Sequence, residues 1–182
     1  VGGLVPDLPE LHAERLRRRF RPPAPLPEPW KNLKDDQYLD IQDNQFRLHK
    51  PGQCAALVAD ASASDGFAAR MPGDHFEWAV SLPLSGDIEF GNPWHCYMAV
   101  RCEAKASNGP AMTLGIYDTA AKKGVTHRGL KVEDAVGTAY KLIDMGVHTL
   151  KPQMYFWAAP PKRPGDVAAV YVDRILLIRE KP

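Results

Sequence analysis

The sequence predicts an all-β domain, a β-sandwich that begins near residue 31 and follows a short helix and a proline-rich linker. Short apolar runs recur from about Trp30 onward, with Gly, Pro, Asn and Asp between them. Apolar and polar residues alternate within several of these runs, as they do in half-buried strands. No strand–helix–strand rhythm follows residue 30, which argues against a parallel-sheet enzyme fold.

The first predicted element is a helix from Leu8 to Phe20. Its apolar residues lie close to one helical stripe, opposite a group of arginines. We interpret this segment as the last helix of an upstream module or as a helix docked on the domain. The alternative is a basic helix at a membrane surface, for which four apolar anchors are few.

A proline-rich linker follows, with five prolines between Pro22 and Pro29. Proline fixes φ and removes a backbone donor, so this stretch is predicted to be an extended, semi-rigid spacer. We place a domain boundary here, with residues 1–30 as helix and linker and residues 31–182 as the sandwich. A proline motif for partner binding is the alternative, but a spacer between modules already explains the composition.

Nine strand-like runs are expected after the linker. Val167–Arg179 is apolar on both faces, which is typical of a strand in the middle of a covered sheet. In Phe76–Leu82 the even-numbered residues are bulky and apolar, so we expect Trp78 in the core. The runs are Asn44–His49, Ala55–Ala59, Gly66–Met71, Phe76–Leu82, His95–Glu103, Met112–Tyr117, Tyr140–Asp144, Leu150–Ala158 and Val167–Arg179.

Charge and composition exclude several classes of partner. The formal net charge is +1, which provides no field for nucleic acid, and no apolar run approaches the ~20 residues of a membrane span. The three cysteines are expected to be small buried residues, because Cys96 and Cys102 on one strand lie too far apart for a disulfide. The chain begins at Val1, and we expect a fragment or processed product whose signal sequence, if the parent has one, lies upstream.

No catalytic pattern stands out. Carboxylates such as Glu77, Glu89, Asp118 and Glu133 are scattered, and no local pattern selects a glycosidase pair. The four histidines from His75 to His148 lack the close spacing of a metal-dependent jelly-roll enzyme, and no nucleophile or phosphate-loop motif occurs. We therefore expect a domain that is not an enzyme and keep a hydrolytic or cupin-like enzyme as the weakest alternative.

Several motifs occur in a characteristic order between residues 40 and 180. They are Ala63-Ser64-Asp65-Gly66, Gly73-Asp74-His75-Phe76-Glu77-Trp78, Tyr97-Met98-Ala99-Val100-Arg101, Gly146-Val147-His148-Thr149-Leu150 and Val172-Asp173-Arg174-Ile175. In this order they resemble the galactose-binding-like jelly-roll domains, especially carbohydrate-binding modules of families six and thirty-five. The resemblance implies a jelly-roll sandwich appended to a bacterial glycoside-hydrolase-like protein.

The resemblance also implies a structural calcium ion that joins the first strand and the Ser-Gly loop to the last strand. The matching positions are Asp65, Asp173 and, as an extra carboxylate, Asp60, and we expect Gln45 from the first strand. Asp173 has independent support, because a carboxylate in an apolar strand is costly to bury unless it is paired or metal-bound. Arg174 or another arginine is the alternative partner, and a position at the exposed end of the strand is a third.

Such modules stack aromatic rings against sugars and bind hydroxyls with nearby polar groups. Our candidates for carbohydrate binding are Trp94, Tyr155, Trp157 and His75; the alternation of the sequence places Tyr155 and Trp157 on one face. Thr138 and Ala139 stand where these modules often carry a sugar-stacking tryptophan.

The expected function is therefore that of a non-catalytic carbohydrate-binding module with a structural calcium ion, which targets a linked glycoside hydrolase to polysaccharide. Its expected partners are an oligosaccharide or polysaccharide and an upstream domain of the same polypeptide, with no nucleic acid and no membrane. We expect a monomer in a secreted, periplasmic or cell-surface protein. The alternative, favoured by the missing cleft tryptophan, is a purely structural domain that packs on a catalytic neighbour.

Overall fold

The computed structural model describes residues 25–85 and 88–180, and within them eleven strands form two antiparallel sheets. Two short helices interrupt the strands, a 3₁₀ turn at Asp43–Gln45 and a single α-helical turn, α1, at Val132–Ala135. The strands are β1 (Tyr38–Gln42), β2 (Arg47–Leu48), β3 (Ala56–Ala59), β4 (Phe67–Pro72), β5 (Val80–Pro83), β6 (Pro93–Ala104), β7 (Pro110–Asp118), β8 (Lys123–Lys131), β9 (Lys141–Thr149), β10 (Met154–Ala159) and β11 (Val167–Arg179).

The two sheets pack as a sandwich, as the sequence predicts. The first has the strand order β3-β4-β11-β6-β9, and the second has the order β2-β5-β10-β7-β8. Strands β1 and β4 both pair with the same edge of β11 in the six-stranded sheet. Strand β4 pairs with its first half, and β1 pairs with its second half. The inner faces form one apolar core that includes Met98, Leu114 and Phe156, all at most 1% exposed.

Strand β11 is the central strand, with the bounds expected from its two apolar faces. Regular alternation along the strand predicts Val172 on one face with Leu176 and Ile178, and Ile175 and Leu177 on the other. This prediction is wrong, because β11 contains a bulge between Val172 and Ile175. A bulge inserts an extra residue and shifts the alternation beyond it. Val172 therefore shares the core with Ile175 and Leu177, and Asp173 and Arg174 lie at the bulge, where β1 and β4 meet.

Two strands were not expected from the sequence, β1 and β8. Strand β8 is an edge strand in which only Leu130 is buried, so it lacks the apolar alternation on which the prediction depends. The run predicted from Phe76 is also shorter, since regular pairing begins only at Val80. The preceding segment, residues 74–79, is irregular, and this leaves Phe76 and Trp78 outside the core.

The packed unit extends upstream of the predicted boundary at residue 31. Leu26 is buried, and the ring of Trp30 lies 4.6 Å from that of Tyr97 on the outer face of the six-stranded sheet. The Pro25 carbonyl accepts a hydrogen bond from Arg174. Residues 25–30 thus form part of the domain, whereas the helix predicted at residues 8–20 lies outside the described residues.

The three cysteines are buried thiols, as expected from the sequence. Burial raises the pKa of the Cys96 thiol to about 12, so it carries no charge at neutral pH. In the described part of the chain, no helix has the length and apolar character needed to cross a membrane.

Candidate functional site

The outer face of the five-stranded sheet presents a row of side chains that crosses all five strands. Arg47 of β2 is paired with Ser81 of β5, which is paired with Trp157 of β10. The same row continues through Gly115 of β7 to His127 of β8. Residues in register on adjacent strands point to the same face, so this row runs from a cation, across an indole ring, to an imidazole.

Trp157 can lie flat on the sheet because its neighbour in the row is glycine. A Cβ atom at Gly115 would come within 2.4 Å of the indole ring of Trp157. The other side of the ring is covered by Trp78, with the two ring centroids 4.2 Å apart and the planes inclined by 8°. Trp157 is therefore only 5% exposed, and its indole Nε1–H lacks a hydrogen-bond partner within the described residues.

Two tyrosines complete this group of rings, which we call the aromatic face: Trp78, Tyr117, Tyr155 and Trp157. The rings of Tyr117 and Tyr155, on paired strands, have centroids 5.6 Å apart. Trp78 lies 5.7 Å from Tyr117 and 6.2 Å from Tyr155. These separations are typical of interacting aromatic rings. The expectation that Tyr155 and Trp157 share one face is confirmed.

Trp78 is the exposed member, with 43% of its surface accessible, so its expected place in the core is wrong. It lies in an irregular segment rather than in a strand, and the alternation argument does not apply there. Trp94, expected to contact sugar, is 1% exposed, and its indole N–H donates to the Glu89 carbonyl. A ring enclosed in the core has no face for a ligand, so that prediction is also wrong.

His75, also predicted to contact sugar, holds the segment that carries Trp78. The Glu77 amide donates to His75 Nδ1 (3.1 Å), so Nε2 carries the proton and donates to the Cys54 carbonyl (2.9 Å). The amide of Lys162 donates to the His75 carbonyl. Both ring nitrogens of His75 are thus used within the protein, and they fix the loop beneath Trp78.

A groove of about 300 Å³ lies beside Trp78 at the β2 edge of the sheet. It is lined by Arg47, His49, Trp78, Ser81, Pro83 and Tyr155, together with Leu48. An adjoining depression of about 390 Å³ shares His49 and Trp78 and adds Phe76 and Glu77. The aromatic face is therefore bordered by a cleft with cationic, hydroxyl and imidazole groups, the combination of rings and a few polar groups that is common in small-molecule sites.

A second candidate site lies at the β11 bulge, where the first strand, a loop and the last strand meet. The Ser64 hydroxyl lies 2.8 Å from Asp173 Oδ1 and 3.0 Å from Gln42 Oε1, and the Ser64 amide donates to both carboxylate oxygens of Asp173. Burial raises the pKa of Asp173 to about 6, and the negative charge of Asp65 also raises it. Hydrogen bonds from Ser64 and the positive charge of Arg174 act in the opposite direction.

A buried ion pair adjoins this junction. Arg174 Nη1 lies 3.1 Å from Asp40 Oδ2, and both side chains are less than 10% exposed. Burial raises the pKa of Asp40, although the charge and hydrogen bond of Arg174 lower it; the charge of Asp65 raises it further. The carboxylates of Asp40, Asp65 and Asp173 and the guanidinium of Arg174 thus interact electrostatically at this junction.

The other predicted calcium ligands occupy different surroundings. Asp60 accepts hydrogen bonds from Arg101 (2.6 and 2.9 Å) and from the Tyr140 hydroxyl (2.7 Å). Gln45 is exposed and lines a separate cavity beside the end of β5, and Gln42 is the first-strand amide at the junction. In the described ranges, no three His, Cys, Asp or Glu side chains are arranged to hold a metal ion. Side-chain oxygen atoms of Gln42, Ser64 and Asp173 nevertheless converge at the junction, and calcium prefers oxygen ligands.

Comparison of the chain with models of protein families gives no match, and comparison with curated proteins gives none. Solved structures do match. One is the CBM22-1 xylan-binding domain of Xyn10C from Paenibacillus barcinonensis, with a TM-score of 0.52 and 10% identity, covering 79% of this chain and 95% of that domain. The chain has the fold of a carbohydrate-binding module.

Two larger proteins contain the same fold as a part. The GH26-CBM35 β-(1,4)-mannanase of Podospora anserina matches with a TM-score of 0.51 and 8% identity over 81% of this chain and 28% of the enzyme. The arabinose-bound α-L-arabinofuranosidase MgGH51 matches with a TM-score of 0.53 and 11% identity, over 81% and 27%. The chain thus spans nearly all of an isolated binding module but about a quarter of these enzymes.

Proposed function

We propose that the chain binds carbohydrate on the aromatic face of the five-stranded sheet, with Trp78 as its principal contact. The observation that carries this proposal is the exposed Trp78 ring, stacked on Trp157 and bordered by Tyr117 and Tyr155. Contiguous exposed apolar patches often mark ligand or partner sites, and the Trp78 ring adjoins two tyrosine rings on this face. The carbohydrate-binding-module fold is consistent with this use.

The members of the aromatic face have different parts in this binding. Trp157 is enclosed between Gly115 and Trp78, so it supports the outer ring and holds it parallel to the sheet. Trp78 offers its outer surface to the apolar side of a sugar ring, and Ser81 and Tyr155 line the neighbouring groove, where hydroxyls can be bound. Thr138 and Ala139, at the usual cleft position, are exposed and add no ring.

Trp78→Ala tests this proposal, with Val147→Ala as the control. Both side chains are apolar and exposed, but Val147 lies on β9, at an edge of the other sheet. We expect Trp78→Ala to weaken retention in gels containing soluble polysaccharides by about tenfold or more, since central aromatic residues carry much of the energy of binding. Val147→Ala should change retention little.

A wild-type chain that binds none of a broad panel of plant, algal and host glycans would contradict the proposal. That result would favour a structural domain that packs on a catalytic neighbour. Circular dichroism of each variant, measured alongside, separates loss of binding from loss of fold.

We further propose a structural calcium ion at the β11 bulge, with Asp173, Gln42, Ser64 and Asp65 as the residues that would hold it. The convergence of side-chain oxygen atoms from Gln42, Ser64 and Asp173, together with the raised pKa of Asp173, supports this assignment. Bound there, calcium would neutralise Asp173 and join β1, the loop and β11. Asp60, engaged by Arg101, is not among the proposed ligands.

Metal removal tests the calcium proposal. A chelator should lower the melting temperature, and calcium in excess should restore it, because ligand at about 100 times its Kd stabilises a fold by about 2.7 kcal/mol. Asp173→Ala should abolish the response, whereas Asp74→Ala, in an exposed loop, should retain it. Unchanged melting and no calcium by elemental analysis would show that Ser64 and Arg174 alone satisfy the junction.

We propose, finally, that the domain is linked to a glycoside hydrolase that acts outside the cell. Support comes from the mannanase and the arabinofuranosidase, in which this fold forms about a quarter of the chain. In the complete parent protein, Trp78→Ala should reduce hydrolysis of insoluble polysaccharide more than hydrolysis of a soluble oligosaccharide. Equal effects on both substrates would contradict a targeting role.

A further inference from the structure

We propose that the groove beside Trp78 accepts a sugar unit that carries a carboxylate, with Arg47 as its counter-ion. This inference rests on the proposed carbohydrate binding at the aromatic face. The class of ligand is an acidic glycan built from uronic acid units, and Arg47 is the residue that selects it.

The charges lining the groove carry the argument. Arg47 is exposed, and among the described residues no carboxylate lines the groove and none forms an ion pair with Arg47. The nearest acidic residue in the adjoining depression is Glu77, whose Oε2 lies 4.0 Å from His49 Nε2. Glu77 does not line the groove itself, so Arg47 is the one permanently charged side chain among the described residues that line it.

The position of Arg47 suits a ligand that lies on the aromatic face. Arg47 is in register with Ser81, and Ser81 with Trp157, so two strand spacings, about 10 Å, separate the backbone of Arg47 from that of Trp157. A sugar ring over Trp78 can therefore direct a substituent toward β2, across the Ser81 hydroxyl.

The chemistry of arginine favours a carboxylate over a neutral hydroxyl. A guanidinium presents parallel N–H groups that match the two oxygens of a carboxylate, and charge-assisted hydrogen bonds of this kind are stronger than neutral ones. Because the groove is open to water, the attraction is expected to weaken as salt is added.

The test compares a polyuronate with the same polymer after its carboxyl groups have been esterified. The wild type should bind the free acid more tightly, and Arg47→Gln should reduce that affinity by about tenfold or more, as expected for loss of a charge-assisted contact. Arg47→Lys should recover part of it. Binding of the esterified polymer should be equal in all three proteins.

Arg128→Gln is the matched control, because Arg128 is an exposed arginine on β8, at the opposite edge of the same sheet. It should leave the affinity for the polyuronate unchanged. Any of three results would overturn this proposal. They are equal affinity for the acid and its ester, equal loss of affinity in Arg47→Gln and Arg128→Gln, and selective binding of a sulfated polysaccharide. If neutral glycans still bind through Trp78, the proposed function survives; if nothing binds, both fail.

Discussion

A single glycine determines the shape of the aromatic face. Gly115 has no side chain, so the indole of Trp157 lies across β7, and Trp78 then stacks on it with nearly parallel planes. The pair has one covered ring and one accessible ring. The consequence is a rigid platform, because each ring of the pair is fixed by the residue beneath it.

Gly115→Ala is expected to disrupt this arrangement. The new Cβ would meet the Trp157 ring at 2.4 Å, a distance that real contacts do not tolerate. We expect a loss of about 1 to 3 kcal/mol, typical of overpacking, together with altered tryptophan fluorescence as the stack separates. Chemical denaturation and fluorescence spectra measure both effects.

Gly129→Ala on the adjacent strand is the control for this substitution. A Cβ at Gly129 meets nothing within 4 Å. Alanine there should be neutral or slightly stabilising, because it restricts the unfolded chain. Equal destabilisation by the two substitutions would show that backbone effects, rather than the contact with Trp157, account for the loss.

At the scale of elements, the loop between β3 and β4 is attached to the outer face of the six-stranded sheet. Its anchor is Asp60, which accepts hydrogen bonds from Arg101 and Tyr140, and the Arg101 guanidinium lies 3.7 Å from the ring centre of Tyr171. The other attachment is Ser64 at the β11 bulge. Two polar contacts therefore position a loop that buries few apolar side chains.

Asp60→Asn is expected to cost about 1 to 3 kcal/mol at neutral pH, because the partly buried Arg101 loses its counter-ion. Although burial raises the pKa of Asp60, hydrogen bonds from Tyr140 and Arg101 hold it below the ordinary value of 3.8. A carboxylate whose pKa is lower in the folded state than in the unfolded chain stabilises the fold at pH values above its unfolded pKa. This stabilisation is lost as the pH falls through the pKa of the folded state.

The difference in unfolding free energy between the wild type and Asp60→Asn should thus be constant above about pH 5 and shrink below 3.8. Denaturant unfolding at a series of pH values measures it. Asp74→Asn, at an exposed position, should show little difference at any pH. A difference for Asp60→Asn that persists unchanged into strong acid would contradict the role of its charge.

At the scale of the whole molecule, the residues before β1 cover part of the outer face of the six-stranded sheet. Leu26 is 9% exposed, and Trp30 packs on Tyr97, which in turn stacks on His95. A proline-rich composition excludes helix and central strand, but it does not exclude close packing. The segment from Pro25 to Trp30 is therefore part of the fold.

Two truncated chains test this packing, one beginning at Pro25 and the other at Lys31. The second lacks Leu26 and Trp30, and we expect it to be less stable by roughly 2 kcal/mol or more, from the loss of buried apolar surface. Thermal unfolding compares them. Equal melting temperatures would mean that the segment is a spacer, as its composition suggests.

The sequence predicts strands well where side chains alternate and poorly where they do not. Strand β11 has its expected bounds, whereas β8, polar and at an edge, was not expected. The prediction for Trp78 fails because the alternation counted back from Val80 assumes a regular strand, but residues 74–79 are irregular. The prediction for Trp94 fails because β6 begins at Pro93 rather than at His95, and its alternation directs Trp94 into the core. Periodicity carries no information about a segment that forms no strand.

The sequence by itself determined the two-sheet architecture, the central last strand and the shared face of Tyr155 and Trp157, because these follow from local alternation and burial. Only the tertiary structure decided that Trp78 lies over Trp157, that a bulge places Asp173 beside Ser64 and Gln42, and that Arg47 adjoins the aromatic face. Each of these joins residues that are far apart in the chain. Such contacts depend on strand register and loop path, which are set by packing of the whole fold and not by any local pattern.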